Sequence, residues 1–536
     1  MKPIVSMGGC SPPVRRARRA LGWIAGLAAL AATQGAAAET LLRARLASDI
    51  LSTEPGGRRD GNTDDVLAHV VEGLVAYREN GEVGPMLAKS WTISPDRRTY
   101  TFRLRTGVTF HNGQPLTAAD VVWSIKRYLQ PSTHWRCASE FGPQGIGRII
   151  GVAGPDPRTV VLTLDRPAPL LLQTLARPDC GQTGVLHPSS VGPDGTWRAP
   201  IGTGPFMIGA WKRNQYIDLV RFPRYASLPG PRDGDGGGKH ALVDRVRFIV
   251  IPDSSAARAA LLRGSLDVID SLSPTELGGV VGDRRVRLQY AATGDFWLLM
   301  LQTRDPLLAD ARLRRAIALT IDSAALTKAV TWGTSRPDNS PVPSTSSYWT
   351  PFQARLRKVD LAEARRLARA AGYRGQAIRL TTNRRFPQMF DAAILIQAMA
   401  RRAGIRFTID TVDWANEVQR YSAGDYQGLV FSFSVRMDPA MDFDLLIGDK
   451  TKDPRKVWAS PAAQALLDQA SRSDDPVTRQ AVFDALQRDF LQETPAVVLF
   501  NATRISATRA NVVGFKEWPA AQQRLWGVGF CGARSC

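Results

Sequence analysis

The stretch from Leu87 to Leu129, LAKSWTISPDRRTYTFRLRTGVTFHNGQPLTAADVVWSIKRYL, constrains the fold more than any other part of the chain. Tyr100, Phe102 and Leu104 alternate with Thr101, Arg103 and Arg105, the period-two pattern of a strand with one buried face. His111-Asn112-Gly113 marks a turn. Thr117 stands three residues before Asp120, a capping pair that opens a helix with Val121, Ile125 and Leu129 on one face. A strand, a turn and a helix in close succession define an α/β unit.

The first 38 residues read differently from the rest. Lys2, Arg15, Arg16, Arg18 and Arg19 precede the apolar run Leu21 to Ala32, and Ala36-Ala37-Ala38 offers a cleavage site before Glu39. This is the pattern of a secretory signal, with an apolar part too short to span a bilayer comfortably. The 536-residue chain carries a net charge of +20, and removal of residues 1–38 leaves a net charge of about +15. Arginine is scattered through amphipathic segments with no nucleic-acid motif, so the charge reads mainly as surface chemistry with a bias toward acidic ligands. Cys10 leaves with the signal, and Cys137, Cys180, Cys531 and Cys536 remain for an oxidising compartment. Their order suggests Cys137–Cys180 and Cys531–Cys536, although three pairings are open.

Strands and helices alternate through the rest of the chain, which predicts a mainly parallel sheet with helices on both faces. Expected helices include 66–75, 254–263, 310–320, 322–330, 391–403, 414–423 and 481–491. Expected strands include 159–164, 243–251, 296–301, 378–382, 405–412, 426–433 and 495–500. Gly230 to His240, GPRDGDGGGKH, lacks the spacing of a phosphate loop and reads as a flexible surface loop. There is no G-x-S-x-G, H-E-x-x-H or C-x-x-C, and the five histidines never fall at ligand spacing. His111 reads as a structural hydrogen-bonding residue. No metal, cofactor or catalytic group is expected, and the chain is not expected to be an enzyme.

Taken whole, residues 87–129 resemble the signature of the extracellular solute-binding proteins of family 5, the dipeptide-, oligopeptide- and nickel-binding proteins of ABC importers. The matching positions include Leu87, Ala88, Ser90, Trp91, Asp96, Thr99 to Phe102, Leu104, Arg105, Phe110, His111, Gly113, Ala118, Asp120 and Val121. Gly202-Thr203-Gly204-Pro205-Phe206 and the segment DARLRRAIALTID from Asp310 resemble further strings of that family. The resemblance implies a two-lobed periplasmic-binding-protein fold of class C, type II, with mixed sheets, three domains and a hinge between the lobes. Domain I would comprise 39–60, 196–293 and 493–525, domain II 61–195 and domain III 294–492, with a tail at 526–536. Crossovers between lobes would fall near Thr293 and Glu493.

The same resemblance implies a periplasmic monomer that carries a peptide or peptide-like solute to an ABC permease and binds no nucleic acid. Ligand contacts are expected in domain III, at Arg384, Trp414, Phe433, Val435, Arg436 and Asp438. Peptide binders of the family place an aspartate for the ligand's α-amine in the strand that precedes the D-P pair. Two registers put Val435 or Arg436 at that position, so neither supplies the carboxylate. Arg436 could hold an acidic ligand through its planar fork. Two alternatives stand beside a peptide receptor. One is the same fold binding a metal chelate, haem, an opine or an oligosaccharide; the other is a secreted hydrolase.

Overall fold

The computed structural model describes residues 39–142, 145–473 and 475–531. The expected export signal and the Cys531–Cys536 pairing therefore lie outside the described residues.

Two long strands dominate the architecture. Val286–Leu301 and Ala496–Arg509 run antiparallel side by side through the middle of an eleven-stranded sheet. Beyond one end of this pair lie Val268–Ile269, Leu41–Leu46, Arg245–Val250 and the hairpin Phe206–Lys212/Tyr216–Arg221. Beyond the other lie Gly428–Phe433, Ala377–Thr382 and Arg406–Thr411. The sheet thus serves two lobes, each with its own apolar core. Pairing of the long strands runs from Val286↔Arg509 to Ala292↔Thr503, lapses, and resumes at Phe296↔Asn501. The expectation of a mainly parallel sheet is corrected. Only the pairs of Leu41–Leu46 and of Ala377–Thr382 with their neighbours are parallel. Elsewhere the long crossing strands and the hairpin impose antiparallel ladders, which short connections permit.

The opening sequence feature forms a separate four-stranded antiparallel sheet, in the order Ala88–Ile93, Thr99–Leu104, Thr159–Leu164, Ile149–Asp156. Tyr100, Phe102 and Leu104 are buried, as alternation requires. Helix Ala118–Tyr128 covers the sheet with Val121 and Ile125, and Asp120 accepts from the Thr117 amide (2.9 Å) and hydroxyl (2.7 Å). The signature turn docks on Ile201–Phe206: the His111 amide donates to the Gly202 carbonyl at 2.9 Å, and His111 Nε2 meets the Gly204 carbonyl at 3.0 Å. Burial lowers the His111 imidazole to about 4. It is a structural hydrogen-bonding residue.

Two local expectations are corrected. The helix expected at 66–75 is Gly61–Leu67, capped by Asp60, whose carboxylate accepts from Thr63, and Val75–Tyr77 is already a strand. Val66, Val70, Val71 and Leu74 are all buried, so their spacing reflects enclosure on every side rather than one helical face. The segment 230–240 is not a flexible surface loop. It folds as the hairpin Arg232–Asp233/Gly236–Gly237, with Asp235 and Lys239 fully buried. Its glycines permit the close approach, since a Cβ on Gly234 would stand 2.2 Å from the Tyr77 carbonyl oxygen. Lys239 Nζ sits 3.7 Å from Glu72 and 4.5 Å from the Trp526 ring centroid. Glu72 also accepts from the Tyr225 (2.7 Å) and Thr203 (2.9 Å) hydroxyls.

A buried ion pair is costly to break from one side, because the surviving charge has no water. Lys239→Met is expected to lower stability by about 3–5 kcal/mol in urea titrations, and adding Glu72→Gln should return much of that loss. The Cys137–Cys180 disulfide closes a separation of 43 residues. Replacing both cysteines by alanine should cost about 4 kcal/mol, measured as a lowered urea midpoint.

Candidate functional site

A cavity of about 520 Å³ opens where the pairing of the two long strands lapses. Both lobes line it. Helix Gly61–Leu67 contributes Asp64 and Asp65, the segment after helix Leu171–Ala176 contributes Asp179, and the crossing strands contribute Asp295 and Arg504. Ser434, Val435 and Phe386 close it from the second lobe. Its size lies within the range of small-molecule sites, and its wall mixes apolar and charged side chains as such sites do.

The charges are held by identifiable partners. Arg177 is buried and forks onto Asp179, with Nε 2.9 Å from one oxygen and Nη2 2.8 Å from the other, while its Nη1 reaches Glu140 at 2.7 Å. Burial alone would raise the Asp179 carboxyl, but Arg177 and then Arg436 hold it well below the usual carboxylate range. Arg504 lies 2.5 Å from Asp270 and 4.0 Å from Asp65. Asp65 also accepts from the Gln523 amide at 2.9 Å, yet burial pushes its carboxyl well up. Asp64 pairs with Arg59.

Of the six residues singled out from the sequence, Val435 alone lines this cavity. Arg436 is buried behind it, 3.7 Å from Asp179, with Nη1 donating to the carbonyls of Ser434 (3.2 Å) and Val435 (3.1 Å). Asp438 caps helix Pro439–Leu446 by accepting from Ala440, and pairs with Arg479 at 2.6 Å. Phe433 is a core residue, packed 5.3 Å from both Phe296 and Phe431. Trp414 stacks on Phe431 and meets Phe386 edge-on, so it backs the cavity wall instead of facing it. Arg384 is exposed, its guanidinium 3.7 Å from the Phe390 ring centroid.

Sequence reasoning missed Asp179, Asp295 and Arg504. Each left a trace: an acid beside a disulfide cysteine, a carboxylate heading the apolar run FWLLML, and an arginine inside a buried strand. Cys137, Asp179 and Cys180 are close enough to suggest a metal site, but the two sulfurs are bonded to each other and cannot serve as thiolate ligands. Among the described residues, no helix is long and apolar enough to cross a membrane.

Two lobes on one sheet, joined by crossing strands with a cavity at the crossing, define a periplasmic-binding-protein fold. The chain belongs to the bacterial extracellular solute-binding proteins, family 5, matching that family over residues 82–453. It is 25% identical over 497 residues to the probable D,D-dipeptide-binding periplasmic protein DdpA of Escherichia coli K12, covering 89% of this chain and 91% of that one. It is 24% identical over 488 residues to heme-binding protein A of Haemophilus influenzae, covering 86% of each. The ABC transporter-associated periplasmic binding protein DppA of Helicobacter pylori, solved with the peptide STSA, superposes with a TM-score of 0.76 at 23% identity, over 92% of this chain and 98% of that one. The binding protein AgaA of A. tumefaciens R10, solved with agropinic acid, gives 0.75 at 24% identity, over 92% and 99%.

Asp179 is a carboxylate whose folded-state pKa is depressed, so its contribution to stability is present above its unfolded value near 4 and is lost as the pH falls. Asp179→Asn should cost about 3 kcal/mol at pH 7, because Arg177 and Arg436 lose their shared counter-charge. Urea midpoints measured from pH 7 down to 2.5 should differ by a constant amount above about pH 4 and draw together progressively below it, without meeting by pH 2.5, because the folded-state carboxyl is held well below the usual range.

Proposed function

We propose that this protein is a periplasmic receptor that captures a peptide or peptide-like solute in the cavity between its lobes and delivers it to an ABC permease. The cavity at the strand crossing carries this reading, because a molecule held there touches both lobes at once. The family supports it, as do the peptide-binding relatives in E. coli and H. pylori. Relatives that bind heme or agropinic acid show the range of cargo this architecture serves. The pairing lapse at 293–295, opposite 501–503, would act as the hinge between the part of the chain from 294 to 492 and the remainder. The signal at 1–38 would direct export, and the receptor would work as a monomer that transforms nothing.

A ligand that touches both lobes favours the closed arrangement by as much as it binds that arrangement better than the open one. Adding a retained peptide should therefore narrow the solution scattering profile and raise the melting temperature in a concentration-dependent way. Peptide panels that leave both unchanged, with no small molecule co-purifying in native mass spectrometry, would overturn the assignment.

A further inference from the structure

Four carboxylates line the interlobe cavity, and three of them already have a guanidinium. Asp64 has Arg59, Asp65 has Arg504 at 4.0 Å, and Asp179 has Arg177 at 2.8 Å. Asp295 differs. It is half-buried, faces the cavity, and forms no ion pair among the described residues. Among the described residues its one side-chain donor is the Thr293 hydroxyl at 3.1 Å, joined by the Val435 backbone amide. Burial pushes its carboxyl up, opposed by Thr293 and, more distantly, by Arg504. A carboxylate in that position gains most from a cation brought in by a ligand.

Its place in the sheet bears on which group that ligand presents. Asp295 immediately precedes Phe296, which pairs with Phe433, so it lies beside the strand end that continues into Ser434 and Val435. Gly294 packs directly on Val435, since a Cβ there would stand 2.8 Å from the Val435 side chain. Val435 is thus a wall without charge, and the adjacent strand carries the acid. Arg436 is committed to Asp179 and the Ser434 and Val435 carbonyls, so it forms no ion pair with Asp295 and acts on it only from a distance.

We infer that Asp295 is the counter-charge for an ammonium group of the cargo, so that this receptor selects amine-bearing solutes over acidic ones. The inference rests on the cavity being the ligand site. Because Asp295 stands where the strand pairing lapses, the same contact ties the cargo's charge to the segment that joins the lobes.

Calorimetric titration of the full mature chain would use three probe sets: unmodified dipeptides, the same dipeptides N-acetylated, and 1,4-diaminobutane as an ammonium without a peptide bond. Unmodified dipeptides or the diamine should bind, acetylation should abolish dipeptide binding, and Asp295→Asn should weaken the free-amine probes on the order of 10- to 100-fold. Which free-amine set binds identifies the source of the ammonium, and either supports the inference. Equal binding of free and acetylated dipeptides, native-like affinity in Asp295→Asn, or retention of anionic solutes alone would overturn it while leaving the receptor assignment standing. Retention of no solute from any class would overturn both. If Asp295→Asn melts well below the native protein, the acetylation comparison on the native chain decides.

Discussion

The rest of the structure depends on the hydrogen-bond ladder between Val286–Leu301 and Ala496–Arg509. Backbone groups buried in a core must be paired, and the two long strands satisfy theirs in two ladder segments on either side of a lapse. Each half of the pair templates a different lobe: 286–292 with 503–509 meets Val268–Ile269, and 296–301 with 496–501 meets Gly428–Phe433. Between them the register shifts and residues 293–295 leave the ladder. The polar groups released there need other partners. The Thr293 hydroxyl is shared between the Ala502 carbonyl and the Asp295 carboxylate, each at 3.1 Å, and Asn501 Nδ2 donates to the Asp295 carbonyl at 3.3 Å. The lapse is therefore satisfied by short polar side chains, and it leaves room for a cavity.

A second organising feature is arginine in the interior. The excess of basic residues reads from the sequence as surface chemistry, yet Arg45, Arg177, Arg314, Arg436 and Arg524 are all buried. Their partners explain why. Arg314 donates to the carbonyls of Leu308, Ala309, Glu493 and Thr494, and Arg45 to those of Ile251, Pro252 and Ser271. Arg524 reaches Glu79 and the Gly234 carbonyl while lying 4.5 Å from the Trp518 ring centroid. A guanidinium offers five donors in one plane, so a single side chain can satisfy several carbonyls where an element ends and no backbone donor is available. Composition cannot distinguish this use from a solvated face, because both produce isolated arginines in amphipathic segments.

Where one face of an element is buried and its ends are capped, the residues declare it. Strand Thr99–Leu104 and helices Leu361–Ala370 and Trp414–Ala423 follow from alternation, from Asp360 and Asp413 as caps, and from Gly424 at a φ of +67°. Periodicity fails where burial is all-round, as at 66–75, and where glycines suggest exposure but permit close packing, as at 230–240. The site is less legible than the fold for a geometric reason. Its charged wall draws on residues 59–65, 179, 295 and 504, which no local pattern links. The segment 431–438, which looks most like a ligand-contacting strand end, instead spends Phe433 on the core, Arg436 on Asp179 and Asp438 on a helix cap.

In the proposed site, charge recognition and closure fall on different parts of the cavity wall. A contact far from the axis of a lobe motion changes greatly in length as the lobes move, whereas a contact at the crossing changes little. Asp295 at the crossing suits a role in recognising charge in any arrangement of the lobes. Phe386 and Met437 from one lobe and Tyr77 and Pro178 from the other line opposite sides of the cavity, where cargo contacts would depend on the lobes being together. A population shift requires such differential contacts, because a ligand bound equally well by both arrangements moves neither. The division of the wall into a charged floor at the strand lapse and apolar flanks on opposite lobes therefore separates what is recognised from what drives closure.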